Sequence, residues 1–238
     1  MALRIEALAP LIGSDVEDSY GRSLGTLVSI MSDVNGEVRS VEVKIVDRGL
    51  ETIPGDRIRL KDGKLVVIPD WKYEALKVIE ALDRAYRRRR ALETMAASDI
   101  PADVVEELKK GLSEEIKSLK VRAEEVKRMI KDRIAAIEDE SVQVARAIVG
   151  IQVLYFSGEV GEKNYTHSIN HLRKLREKLI EEKNDAKNTL DKLEKTVEAV
   201  TTPLQEPRRQ EEKPKKQEER KHEQAATPQP ITVKVEEA

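Results

Sequence analysis

The stretch VEELKKGLSEEIKSLKVRAEEVKRMIKDRIAAIEDESVQVARAIVGIQVLY, residues 105–155, decides the fold. Its apolar seam runs through Val105, Leu108, Leu112, Ile116, Leu119, Ala123, Val126, Ile130, Ile134 and Ile137, then Ser141, Val144, Ile148, Ile151 and Tyr155. Steps of three and four place every member on one face of a helix. A helix over residues 101–156 would be about 80 Å long. It cannot bury such a stripe against itself, so it must pack on another helix or another chain. Steps of seven and eleven residues along the seam predict a nearly straight bundle with weak supercoil.

Helical periodicity extends to both sides of this stretch. After Pro69, Asp70 offers an N-cap, and Leu76, Ile79, Leu82 and Tyr86 give a shorter amphipathic helix over residues 70–97. Ser98-Asp99-Ile100-Pro101 breaks it and starts the long helix. Beyond Phe156, two glycines, Gly158 and Gly161, interrupt the pattern. Ile169, Leu172, Leu175, Leu179, Ala186, Leu190, Leu193, Val197 and Val200 then resume it over residues 165–200. The economical arrangement is an antiparallel hairpin of unequal arms. The longer first arm leaves Leu108 and Leu112 as surface for another subunit.

Residues 1–69 change period from helical to alternating. Leu24, Thr26, Val28 and Ile30 oppose Leu27, Ser29 and Met31, and Val41, Val43 and Ile45 alternate with Glu42 and Lys44. Asn35-Gly36 and Asp62-Gly63 predict two-residue type I′ hairpin turns, and Pro54-Gly55 marks a further turn. Short strands with close turns make a small sheet or barrel. Gly13, Val16, Asp18, Gly21, Leu24 and Gly25 precede the first long strand in an order that resembles a PRC-barrel domain. That resemblance implies a binding or assembly module. Gly21 and Gly25 read as backbone turn positions. The expected class is therefore α+β: a small N-terminal PRC-barrel-like β domain (1–69), then a helical coiled-coil body (70–200).

Composition narrows the function. Charged residues make up 37% and aromatics 3% of the 238 residues, which suits long solvated helices better than a wide core. A net charge of -2 gives no global attraction to nucleic acid or anionic membrane, so any such binding must be local. The absence of Cys removes disulfides and thiolate chemistry and suits an intracellular protein. The N-terminus lacks the pattern of a signal peptide, and the most apolar window, Val142 to Phe156, is too short to span a bilayer. No phosphate-binding loop, nucleophile elbow or convergent carboxylate set is present, so no enzyme and no cofactor is expected. His167 and His171 have the four-residue spacing of two metal ligands but no third ligand nearby, and read as an exposed helix start. Arg84, Arg87, Arg88, Arg89 and Arg90 form the densest positive patch. They read as a solvated helix face paired with Asp83 and Glu93, as a sequence-neutral phosphate-binding site for DNA, or as a contact for membrane headgroups.

From Thr201 the chain turns to Pro, Gln, Lys and Glu, a composition too poor in apolar residues to order itself, so residues 201–227 are expected to be a disordered linker. Its reach is on the order of 30 Å. Residues 228–238 then carry a proline-bounded strand signal with Ile231, Val233 and Val235 on one face after Pro230. A strand with no partner in its own chain suits addition to the edge of another protein's sheet.

A PRC-like head, a long coiled coil and a tail ending in Pro-Ile-Thr-Val-Lys-Val together resemble the CdvA family of archaeal cell-division proteins. The resemblance implies a non-enzymatic scaffold that self-associates into filaments, often together with DNA. It implies that the terminal peptide, with Ile231, Val233 and Val235 carrying the matching pattern, binds the winged-helix region of a CdvB-type ESCRT-III-like protein by strand addition. It also implies a cytoplasmic location at the mid-cell division plane, near the nucleoid or the inner face of the membrane, with membrane association indirect. The alternative from the residues themselves is a DNA-binding, filament-forming chromosome-associated structural protein that uses the arginine run.

Overall fold

The computed structural model describes residues 3–45, 48–95 and 101–202. A single-turn helix α1 (Ile5–Leu8) precedes six strands, β1 (Asp15–Asp18), β2 (Ser23–Ser32), β3 (Val38–Ile45), β4 (Gly49–Pro54), β5 (Ile58–Lys61) and β6 (Lys64–Val67). Three long helices follow, α2 (Asp70–Met95), α3 (Ala102–Phe156) and α4 (Glu162–Thr201). The class is α+β, as the change of period at Pro69 implies.

The strands form one sheet in the order β4-β3-β2-β1-β6-β5, antiparallel except for the β1–β6 pair. The barrel does not close: among the described residues no ladder joins β4 to β5, which are linked by a single 3-10 turn, Gly55–Arg57. Leu8, Val16, Leu27, Val41, Val43, Ile53, Ile58 and Leu65 fill its core. The alternation read in β2 is broken by a register shift between Leu27 and Ser29. Leu27 pairs with Val43 and Ile30 with Val41, so these two share the core while Val28 is exposed. A bulge inserts one residue and flips everything beyond it to the other face.

The two hairpin turns differ. Asp62 and Gly63 both have positive φ, 51° and 75°, as a type I′ turn requires. At Asn35-Gly36 only Gly36 does. There Asp33 Oδ1 accepts the amides of Asn35 and Glu37, both at 2.9 Å, and holds a longer loop in place of the expected two-residue turn.

Helix α2 runs antiparallel to α3, with Arg122 on Glu74 at 2.6 Å and Arg88 facing Glu115 at 3.7 Å. Helix α4 returns antiparallel along α3, with Lys127 on Glu194 and Arg133 on Glu182. The hairpin tip is closed by a left-handed Gly158, with the Gly158 amide donating to Tyr155 O and the Glu159 amide to Leu154 O. This is the Schellman pattern of helix termination. Tyr155 and Tyr165 stack across the tip, ring centroids 4.2 Å apart.

Every seam residue of α3 is buried or half-buried except Leu108, which is 55% exposed. Leu112 is not left for another subunit, because α2 covers it as the third wall of the bundle. The face of α2 that does so is set by Trp71, Ala75, Val78, Ile79, Leu82 and Ala85, while Leu76, expected inside, is exposed. Asp70 lies within the first turn of α2, and its carboxylate pairs with Arg57 at 2.9 Å instead of capping the helix.

Candidate functional site

The β1–β2 turn, Asp18 to Arg22, joins the head to the helices. Its backbone is shaped by Gly21, which holds φ +71°, and by Asp18 Oδ1, which accepts the amides of Tyr20 at 2.8 Å and Arg22 at 2.9 Å. Gly25 is not a turn position. It lies within β2, where a Cβ would stand 2.2 Å from Lys44 O, so the missing side chain lets β3 approach.

This turn docks on the middle of α4. Glu182, 1% exposed, is its centre. Arg133 of α3 grips it with two bonds of 2.8 Å, Arg22 Nη2 donates at 2.6 Å, and Trp71 Nε1 donates at 3.3 Å. Arg22 Nε also donates to Asp18 at 2.6 Å, and Arg133 Nη1 to Glu140 at 2.7 Å. One turn along α4, Asp185 accepts from the Tyr20 hydroxyl and from Lys72, both at 2.6 Å. Lys178 donates to Gly21 O on the other side. Residues from the head, α2, α3 and α4 thus share one polar network.

Burial pulls the Glu182 carboxyl up, but the hydrogen bond from Arg133 and the charges of Arg22 and Arg133 outweigh it and hold the group below the ordinary glutamate range. Its hydrogen bond to Glu182 raises Arg133 further above the usual arginine value. Burial, then the Asp185 carboxylate, pushes the Tyr20 hydroxyl up. A cleft of about 310 Å³ opens beside the network, lined in part by Arg22, Arg48, Arg57, Glu51 and Glu182. Among the described residues no buried side-chain nitrogen or oxygen lacks a partner. The arrangement is therefore built to fasten head to helices, with its buried polar groups already engaged with one another.

The arginine run divides. Arg84, Arg87, Arg88 and Arg90 are exposed, with Arg84 facing Glu80 and Arg88 facing Glu115, each at 3.7 Å. Arg89 turns inward and donates to Val200 O at 2.6 Å and Thr202 O at 3.2 Å. It satisfies carbonyls at the C-terminus of α4, where the helix dipole favours a cation. His167 and His171 are exposed near the start of α4. Pro230, Ile231, Val233 and Val235 lie outside the described residues. Among the described residues no helix is long and apolar enough to cross a membrane.

Periodicity alone passed over Glu182 and Arg133. The signal was a seven-residue gap in the α4 stripe between Leu179 and Ala186, with a carboxylate at the intervening inward position. Comparison with known proteins gives the family. Residues 70–218 match the model of the CdvA-like coiled-coil domain. The chain is 32% identical over 195 residues to Cell division protein A of Sulfolobus acidocaldarius, covering 82% of each. The family match spans the whole helical body and the curated relative takes in most of both chains, so this protein belongs to the CdvA family.

Proposed function

We propose that this protein is a non-enzymatic scaffold of cell division that self-associates and recruits a CdvB-type ESCRT-III-like protein through its C-terminal peptide. Membership of the CdvA family carries the proposal. The fold supports it: a head fastened by buried ion pairs to a three-helix body is suited to holding surfaces at fixed spacing. Residues 203–238 follow α4 directly, and Ile231, Val233 and Val235 would pair with a sheet edge of the winged-helix region. Work at the cytoplasmic mid-cell plane, with the membrane contacted through the partner, follows from that role. Deleting residues 231–238 should abolish binding to the winged-helix region in calorimetry while leaving sedimentation of the chain unchanged. An affinity equal to that of the full chain would remove the peptide from the mechanism.

A second reading, nucleic-acid binding by the body, is favoured by the exposed guanidinium groups of Arg84, Arg87, Arg88 and Arg90. Replacing these four by Ala should weaken DNA binding and flatten its dependence on salt, by roughly 0.9 in log-log slope for each lost phosphate contact. Filter binding at several salt concentrations measures this. An unaltered slope excludes the patch.

A further inference from the structure

The core of the head does not end in a packed wall. Where it meets the helices, Leu24, Ile45, Ile53 and Val67 line the cleft of about 310 Å³ together with Trp71 of α2. Ile53, Val67 and Trp71 are each at most 4% exposed, so the cleft reaches down to buried side chains of both the head and the helical body. Small-molecule sites favour such places: concave, mostly apolar, at the boundary between two cores, with a few polar groups converging. The volume falls at the small end of their usual range.

The polar groups of the lining divide into spent and unspent. Arg22 and Arg133 are taken up by Asp18 and Glu182. Arg57, 15% exposed, gives Nε to Ile68 O at 3.1 Å and Nη1 to Asp70 at 2.9 Å, and Asp70 is 69% exposed, so water screens that pair. Its Nη2 has no hydrogen-bond partner among the described residues. Arg48 lines the cleft, is exposed, and forms no ion pair among the described residues. Glu51 is the remaining carboxylate. It lies two residues before Ile53 and opposite Val43 in the sheet, on the core-facing side of β4, half-buried and with no partner among the described residues. Two guanidinium groups with N–H donors to spare thus stand over an apolar floor, against one free carboxylate.

We propose that this cleft binds a small amphiphilic carboxylate, whose oxygens accept from Arg48 and Arg57 and whose hydrocarbon chain lies on Leu24, Ile45 and Ile53. The planar guanidinium fork matches a carboxylate, and the apolar floor calls for a hydrocarbon body. Glu51 sets the charge: a phosphate monoester would bring a second negative charge against it, and a carboxylate does not. The inference stands apart from partner recruitment, because the site lies wholly within the head and the start of α2.

Trp71 supplies the readout, as the only tryptophan and a lining residue. Hexanoate titrated into the full-length chain at pH 7 should change Trp71 fluorescence saturably, with a Kd on the order of a millimolar. Acetate, which lacks the chain, and 1-hexanol, which lacks the charge, should bind at least tenfold more weakly. Arg48→Ala should weaken hexanoate by about tenfold. Glu51→Gln, which removes the opposing charge, should tighten it by about threefold. Arg88→Ala, about 25 Å along α2 from Trp71, should leave the affinity unchanged. Circular dichroism checks that each variant keeps its fold. No saturable hexanoate binding in either fluorescence or equilibrium dialysis would overturn the proposal, as would equal affinities of Arg48→Ala and the native chain. Leucine binding more tightly than hexanoate, and weakened by Glu51→Gln, would make the ligand a zwitterion held between Arg48 and Glu51 and overturn it too. Inorganic phosphate binding more tightly than hexanoate would likewise reject a carboxylate.

Discussion

Glu182 is the residue on which the polar network depends. A carboxylate 1% exposed between two guanidinium groups is retained only because each partner offsets its lost hydration. Glu182→Gln leaves the half-buried Arg22 and Arg133 against a neutral amide and should destabilise the protein by about 2 kcal/mol. Guanidinium unfolding at pH 7 measures the loss. The folded-state carboxyl is held below its unfolded value, so its contribution is complete above about pH 4.3 and is lost as pH falls through the depressed value. The gap in melting temperature between native and Glu182→Gln protein should therefore close in acid, below about pH 4. A gap that stays constant to pH 3 would show that the charge of Glu182 contributes nothing. None of this was apparent in the α4 stripe as read from apolar residues, because a buried ion pair obeys the helical period while inverting its polarity. Arg89 escaped for a related reason: within four consecutive arginines, only the packing of α2 on α4 singles out the one that reaches the carbonyls of Val200 and Thr202.

At the scale of elements, the helices were readable almost to their ends because the 3.6-residue period of Val105 to Tyr155 is sustained far beyond chance. The sheet was less so. A strand of ten residues such as β2 carries a bulge that no alternation reveals, and the parallel β1–β6 pair joins segments some fifty residues apart with no local turn to announce it. Glycines sharpen the contrast. At Gly25 an added methyl collides with Lys44 O at 2.2 Å, whereas at Gly111, exposed in α3, it meets nothing within 4 Å. Gly25→Ala should cost about 2 kcal/mol, through forced separation of β2 and β3. Gly111→Ala should add about 1 kcal/mol by favouring the helix over the unfolded chain. Both follow from chemical denaturation of the two variants. A stabilised Gly25→Ala would mean that β2 and β3 separate at little cost.

Across the whole molecule, the network decides whether head and body behave as one. The head has its own core, filled by Val16, Leu27, Val41 and Ile58, and the helices have theirs around Leu82, Ile130 and Leu193, so each could melt alone. They are joined by the Asp18 to Arg22 turn, clasped by Glu182, Asp185 and Lys178 of α4, and by the more exposed contacts of Arg57 on Asp70 and Tyr73 on Asp56. Trp71, the only tryptophan, sits where that junction meets the helical core, donating to Glu182, and so reports on its surroundings there. In the native chain, the fluorescence of Trp71 and the helical signal at 222 nm should change together on heating. With Tyr20→Phe and Arg22→Ala combined, Asp185 loses one of its two donors and Glu182 one of its two guanidiniums, and the fluorescence transition should move to lower temperature than the helical one. Fluorescence already leading in the native chain would mean that the clasp does not couple the two cores. Coincident transitions in the double variant would mean that Arg57 on Asp70 and Tyr73 on Asp56 hold the junction without the head's turn.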